Sequence, residues 1–209
     1  MKLYDYAMAP NPRRVRIFAA EKGMTIETVQ VDLRGGSQFE ESFQALNPAC
    51  AVPMLELDDG TRITETGAIC RYLEEIQPEP PLLGTDPVDK AMVEMWHRKV
   101  ELQGTQAVAE AFRNTAPGFK DRAIAGPVGY AQIPALAERG QQRLGDFFDI
   151  LEARLNESTF VAGERFSIAD ILALVTVDFA RVIKASPPDS ATATAAWHEK
   201  VSARPSASA

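Results

Sequence analysis

The sequence predicts a mixed α/β domain followed by an all-helical (all-α) domain. Three observations carry this expectation. Up to about residue 78, short strand-like and helix-like segments alternate; residues 77–87 are proline-rich and read as a linker; beyond them apolar residues recur only at helical spacing. The expected boundaries are residues 1–78 for the first domain, 79–87 for the linker and 88–209 for the helical domain.

In the first domain, Leu3 to Tyr6 reads as a strand. Pro12 to Lys22 reads as a helix, with Asn11 as N-cap, Pro12 in the first helical position and Gly23 as the stop. Ile26 to Val31 is the second strand, and a short helix lies near Phe39 to Gln44. Residues 53–57 and 61–63 form a hairpin over Asp58-Asp59-Gly60, because Asp-Gly suits the turns that hairpins need. Thr64 or Thr66 caps a helix from about Gly67 to Ile76. This order of elements gives a unit of thioredoxin-like size.

In the second domain Met92, Met95, Trp96 and Val100 share one helix face, as do Leu144, Phe147, Phe148, Leu151 and Leu155. Residues 115–133 contain Pro117, Gly118, Gly126, Pro127 and Gly129, which break any single helix and suggest a mobile connection. Residues 167–182 are apolar almost all round and should form the buried central helix. Ser167 caps it, Asp170 sits where a capping box places its acid, and Phe166 can staple onto Ile171, so these residues are read as structural.

With 209 residues, 45% of them hydrophobic and 24% charged, the chain has the length to bury a substantial core. No apolar run approaches the roughly 20 residues that span a bilayer. Met1 leads directly into a strand-like segment, so no secretory leader is expected. A net charge of -7 with no basic run argues against a nucleic-acid surface. The two cysteines, Cys50 and Cys70, make no disulfide framework and no Cys-x-x-Cys motif, which favours a cytoplasmic address. No metal motif exists, and His97 and His198 read as surface or linker-facing residues without an evident partner.

One pair of sites stands out. Pro53 opens a strand, where its missing N–H is tolerated, and a cis bond there turns the preceding backbone outward. Val52 could then offer its amide and carbonyl to an extended peptide. Twelve residues on, Glu65-Thr66 heads a helix whose open amides and dipole favour a carboxylate, while Glu65 could accept from an ammonium group. The ligand so described is a small peptide with an amino group and a carboxylate at one end. The same residues also suit an ordinary hairpin followed by an ordinary capped helix.

Motifs across nearly the whole chain carry a family resemblance. Asn47-Pro48-Ala49-Cys50-Ala51-Val52-Pro53-Met54-Leu55, then Glu65-Thr66-Gly67-Ala68-Ile69-Cys70-Arg71-Tyr72-Leu73, resembles the glutathione-binding half of soluble, cytosolic-type bacterial glutathione transferases. So does the start, where Leu3-Tyr4 leads through Ala9-Pro10-Asn11-Pro12 into Arg14-Val15-Arg16-Ile17. Phe160-Val161-Ala162-Gly163, Phe166-Ser167-Ile168-Ala169-Asp170 and Trp197 through Arg204-Pro205-Ser206 are similar to the helical-domain signature of that family. The resemblance implies a thioredoxin-like glutathione-binding domain, an all-α C-terminal domain, glutathione as co-substrate, no metal, and a homodimer in the cytoplasm with a detoxifying role.

The implied nucleophile is the glutathione thiolate, scarce at neutral pH because a free thiol titrates near about 8.5. Lowering that value by about 2 units requires roughly 2.7 kcal/mol of preference for the anion. One hydrogen-bond donor plus a helix N-terminus supplies that order of energy. Relatives use a serine, cysteine or tyrosine near the end of the first strand, and the serine or cysteine position falls on Ala9 here, which has no donor. Asn11 matches a bacterial branch in which an asparagine of this loop serves glutathione, although helix capping alone would also explain it. Tyr6 is the rival phenolic donor, with Tyr4 behind it, and a main-chain amide of residues 9–11 would need no side chain.

The resemblance further assigns Ala9, Asn11, Gln38, Val52, Pro53, Glu65 and Thr66 to glutathione, with Gln38 on the glycine carboxylate or merely solvated in its loop. It puts a hydrophobic-electrophile pocket between the domains, walled by Met8 and the loop Ala7 to Ala9 and by the helix carrying Gly104, Gln106, Val108 and Phe112. Cys50 is a candidate for a mixed disulfide, whereas Cys70 should be buried and inert. The leading reading is conjugation of glutathione to small electrophiles, with peroxidase activity alongside. The alternatives are a glutathione-dependent disulfide reductase and a non-catalytic binding protein that kept the fold.

Overall fold

The computed structural model describes residues 1–209, which separate into two compact units. The first comprises residues 1–80 with residues 124–129 and 209; the second comprises residues 81–123 and 130–208.

The first unit begins with β1 (Lys2–Asp5), α1 (Pro10–Glu21) and β2 (Glu27–Gln30). A single 3-10 turn, Ser37–Phe39, precedes the short α2 (Glu41–Gln44). The hairpin β3 (Met54–Glu56) and β4 (Arg62–Thr64) then leads into α3 (Thr66–Ile76). The sheet order is β2-β1-β3-β4, with β1 and β2 parallel and the other two pairings antiparallel, the thioredoxin-like arrangement expected. Its core is Leu3, Val15, Ile17, Phe18, Met54, Leu55, Ile69 and Leu73, all fully buried. Strand alternation turns Leu3 and Asp5 to the buried face and Tyr4 to the other, where its ring meets Phe43 edge-on.

A buried cation ties the end of this unit together. Lys22 Nζ meets Glu74 Oε2 at 2.5 Å and donates to the carbonyls of Pro78 and Pro80. A side chain 5% exposed is thereby fully compensated, as a buried charge must be.

The second unit is helical: α4 (Pro87–Lys99), α5 (Gln106–Arg113), α6 (Pro134–Glu157), α7 (Ile168–Ala180) and α8 (Thr192–Ser202), with a π-helical turn, Val100–Thr105, joining α4 to α5. Residues 82 and 83 of the proline-rich stretch belong here: both leucines are buried, and the Leu82 carbonyl accepts from the Ile168 amide. Helix α7 is the central helix, and its N-terminus is sealed as the sequence suggests. Ser167 and Asp170 make the reciprocal capping box, and Asp170 Oδ1 also accepts from Val161 N and Trp197 Nε1, both at 2.9 Å. Phe166 stacks edge-on against Phe160 and lies beneath the Arg204 guanidinium. Helix α8 starts at an alanine without a cap, so Glu152 of α6 reaches across to accept from the amides of Ala193 and Thr194. Helices α5 and α6 approach closely at Gly140, where a Cβ would lie 2.7 Å from the Ala107 carbonyl oxygen.

Several details correct the sequence reading. Both histidines have surroundings it did not foresee: His97 is 2% exposed, and His198 Nε2 lies 2.9 Å from Asp178 Oδ1. Helix α1 starts at Pro10 rather than Pro12, and α3 at Thr66 rather than Gly67. No helix is long and apolar enough to cross a membrane.

Candidate functional site

The sheet register brings the sequence-singled residues of the first unit to one end. The β1–β3 ladder pairs Leu3 with Leu55 and ends with Tyr4 on Met54, so the chain that leaves β1 after Asp5 and the chain that enters β3 through Val52 and Pro53 meet at the same end of the sheet. The β3–β4 ladder ends with Met54 on Thr64, so Glu65 and the entry to α3 leave the sheet at that same end. The end of β1, the start of β3, the entry to α3 and the loop after β2 that holds Gln38 therefore share one edge of the unit.

At that edge the Val52–Pro53 bond is cis, and neither the amide nor the carbonyl of Val52 has a hydrogen-bond partner in the chain. Pro53 itself is buried. The loop leading in is braced by Asn47, 4% exposed, whose Nδ2 donates to the Ala51 carbonyl while its Oδ1 accepts from the Ala49 amide. That bracing role went unread in the sequence, although the Asx-turn propensity of asparagine was the available signal.

Helix α3 opens without a side-chain cap. Its N-cap is Glu65, exposed and held at φ 67°, a left-handed backbone that a non-glycine residue adopts only under local constraint. Thr66 is buried as the first helical residue, so neither Thr64 nor Thr66 caps. The amides of residues 66–68 have no acceptor in the chain, in contrast to the sealed start of α7.

Helix α1 is also uncapped by any side chain, and this corrects the reading of Asn11. The N-cap is Ala9, Pro10 follows, and Asn11 is the second helical residue, where its side chain cannot cap. Asn11 Oδ1 instead accepts from Arg14 at 3.2 Å. Two prolines empty the first turn of donors: Pro10 and Pro12 have no N–H, and the Ala9 amide is used on the Tyr6 carbonyl at 2.8 Å. The Asn11 amide is the one N–H left open there.

A polar network unforeseen in the sequence holds the preceding loop. Buried Asp5 accepts from Arg16 at 2.5 Å and from Gln30 at 2.7 Å. Arg16 in turn donates to the Ala7 carbonyl, and Gln30 Oε1 accepts from the Ala7 amide. Both main-chain groups of Ala7 are thus fixed from β1, β2 and α1, leaving Met8 72% exposed. Tyr6 lies just past β1 and is half-buried.

Gln38 is not a solvated loop residue. It is 4% exposed, its Nε2 donates to the Leu33 carbonyl at 3.3 Å, and its Oε1 is buried without a partner.

The remaining candidates lie on and just before α5 of the second unit. Val108 is fully buried in the helical core, while Gln106, two residues away and so about 200° round the helix, is exposed. Gly104 packs against Phe147, and Phe112 stacks edge-on with Phe119 and Phe179. Val108 and Phe112, four residues apart, share one face of α5, and Gln106 lies off it. Both thiols are buried, and desolvation pushes that of Cys70 up to about 12, which makes it inert. Cys50, 4% exposed, is closed off from the mixed disulfide considered for it. No group of three or more His, Cys, Asp or Glu side chains is placed to hold a metal ion.

Residues 9–76 match the model of the glutathione S-transferase N-terminal domain, and residues 116–205 match that of the C-terminal domain. Glutathione S-transferase 2 of Saccharomyces cerevisiae is 34% identical over 209 residues, covering 99% of this chain and 87% of the yeast protein. A glutathione S-transferase domain-containing protein of Marinobacter aquaeolei superposes with a TM-score of 0.91 at 36% identity, over 99% of each chain. A glutathione S-transferase of Vibrio parahaemolyticus superposes at 0.84 with 38% identity, over 99% of this chain and 94% of the other. The chain belongs to the glutathione S-transferase family.

Proposed function

We propose that this protein conjugates the thiol of glutathione to small hydrophobic electrophiles. The observation that carries this reading is the set of open main-chain groups at one sheet end: both valences of Val52 lie beside two helix N-termini that no side chain caps. A short extended peptide satisfies all of them at once. Val52 pairs with its central residue, Pro53 holding that backbone in place. The amides of Thr66, Gly67 and Ala68 take the α-carboxylate of its γ-glutamyl end, with Glu65 accepting from the neighbouring ammonium.

The sulfur then faces the start of α1, where Ala9 offers only a methyl group and so admits close approach. The Asn11 main-chain amide donates to it, and the helix dipole adds to the preference for the anion. Tyr6 is the side-chain competitor for that donation. Held beside an electrophile, the ionised sulfur needs no further group to attack.

Titration calorimetry with glutathione tests the cradle, and the ultraviolet absorbance of the bound thiolate across pH tests its ionisation. Saturable heat together with a bound-thiol titration well below about 8.5 is expected; no saturation at millimolar peptide would sink the reading. Activity with a chloronitrobenzene rather than a small disulfide separates conjugation from disulfide reduction. We place the protein in the cytoplasm, where reduced glutathione abounds. We also assign it as a homodimer, supported by the exposed apolar stripe Val88, Met92 and Met95 on α4.

A further inference from the structure

Three polar side chains stand in line where α7 meets α8, all within the second unit. His198 Nε2 donates to Asp178 Oδ1 at 2.9 Å, which leaves a lone pair on Nδ1 of the neutral ring, and Nδ1 accepts from Ser202 Oγ at 3.4 Å. His198 and Ser202 are four residues apart and share one face of α8, while Asp178 comes from the last turn of α7. Arg181 Nη2, 3.7 Å from the same Asp178 oxygen, adds a positive charge beside that carboxylate.

The helices that carry the group are held in place around it. Trp197, next to His198, is buried and donates from Nε1 to Asp170 Oδ1 at 2.9 Å, which pins α8 onto α7. Glu152 of α6 accepts from the amides of Ala193 and Thr194 at the other end of α8. Access increases along the line: the Asp178 and His198 side chains are 21% and 20% exposed, and Ser202 lies exposed in the final helical turn. A hydroxyl within reach of an imidazole that a carboxylate orients is the arrangement that activates a weak oxygen nucleophile, and sites without ligand show it at loose distances.

We propose that Ser202 is an acylation site for activated esters, with His198 as its general base and Asp178 as the positioning residue behind the base. Ser202 Oγ attacks the ester carbonyl, and its proton passes to His198 Nδ1. The tetrahedral adduct then expels the alcohol or phenol, which takes up that proton. One C–O bond forms, one breaks, and the acyl group stays on Oγ. The imidazolium formed in between lies against the Asp178 carboxylate and near the negative end of α8. The amides after Ser202 are committed, Ala203 to the Glu199 carbonyl and Arg204 to that of Val201, so neither serves as an oxyanion donor. This confines the site to good leaving groups and lets the acyl serine persist. The reaction uses no glutathione, so it stands apart from the transferase reading.

The probe is p-nitrophenyl acetate, supplied without glutathione so that no added thiol competes for the acetyl group. The natural protein should release a burst of about one p-nitrophenolate per chain, and peptide mass spectrometry should place the acetyl group on Ser202. Ser202→Ala, a change at an exposed position in the last turn, should lose the burst. His198→Gln should slow acetylation of Ser202 by about 100-fold, the lower end of what a general base contributes, and Asp178→Asn should slow it as well. Thermal midpoints check that these two variants keep α8 docked, and Ser202→Ala decides the matter if they do not. Acetyl groups spread over lysines with Ser202 unmodified, a burst that survives Ser202→Ala, or an unchanged Ser202 rate in a folded His198→Gln would each overturn the proposal.

Discussion

The activating donor can be isolated by a single-atom change. In the first turn of α1 the prolines at 10 and 12 carry no N–H and the Ala9 amide is committed to Tyr6, which leaves the Asn11 amide alone. A hydrogen bond to a charged group contributes about 1.5–3 kcal/mol, and one pKa unit corresponds to about 1.36 kcal/mol. Replacing the residue-11 amide by an ester through semisynthesis removes that N–H and weakens the Pro10 carbonyl as an acceptor within the helix, so the titration of bound glutathione should rise by about 1–2 units. Asn11→Ala keeps the amide and removes a side chain whose oxygen already accepts from Arg14. Its shift should stay under about half a unit, the residual effect of a changed neighbour within the helix dipole. Ultraviolet thiolate absorbance against pH reads both, with thermal midpoints as the control for folding. An unchanged titration in the ester, or an equal rise in Asn11→Ala, would refute the main-chain assignment, and a large rise in Tyr6→Phe would transfer the role to the phenol.

Four further outcomes follow from the geometry. Ser167→Ala should lower unfolding stability by about 1–2 kcal/mol, the loss of a helix cap, read as a shift in denaturant midpoint at constant slope. Burial pushes the Asp170 carboxyl up to about 6 even though main-chain and indole N–H groups donate to it, so its folded value lies above that of an unfolded aspartate. Its contribution therefore favours the folded state most below about pH 4 and declines by about 3 kcal/mol as pH rises through about 6; the stability difference between Asp170→Asn and the natural protein, measured across that window, should carry this slope. Gly140→Ala sets a methyl 2.7–2.8 Å from backbone atoms of α5 and should cost about 1–3 kcal/mol by thermal unfolding, while Gly145→Ala, with nothing within reach, should not destabilise. Gln30→Ala frees the Ala7 amide and loosens the loop before α1, so kcat should fall more than glutathione affinity; an unchanged kcat would show that the loop needs no such brace.

Much of the architecture follows from local chemistry alone. Alternating β and α patterns, the Asp-Gly turn and the proline-rich stretch at 77–87 mark the elements, and the Ser167/Asp170 pair places the start of the central helix because a capping box is written in four adjacent residues. The Val52-Pro53 and Glu65-Thr66 pairs are legible for the same reason: each depends on neighbours in sequence. Boundaries set by competition were not legible. Asn11 followed by proline is a sound capping signal, yet Ala9-Pro10 begins the helix two residues earlier and takes the cap position away from the Asn11 side chain.

What tertiary structure decided are the properties that distant residues create. The Asp5, Arg16 and Gln30 network fixes a loop from three elements, Glu152 caps a helix some forty residues away, and His97 is buried by helices its own segment does not reveal. Residues 113–133 show the same division most plainly. Composition foretells an irregular segment, but only side chains reaching back from Arg113, Asn114 and Gln132 make it a closed loop whose apolar tip is held in water, since hydrogen bonds between groups far apart along the chain leave no periodic trace in it.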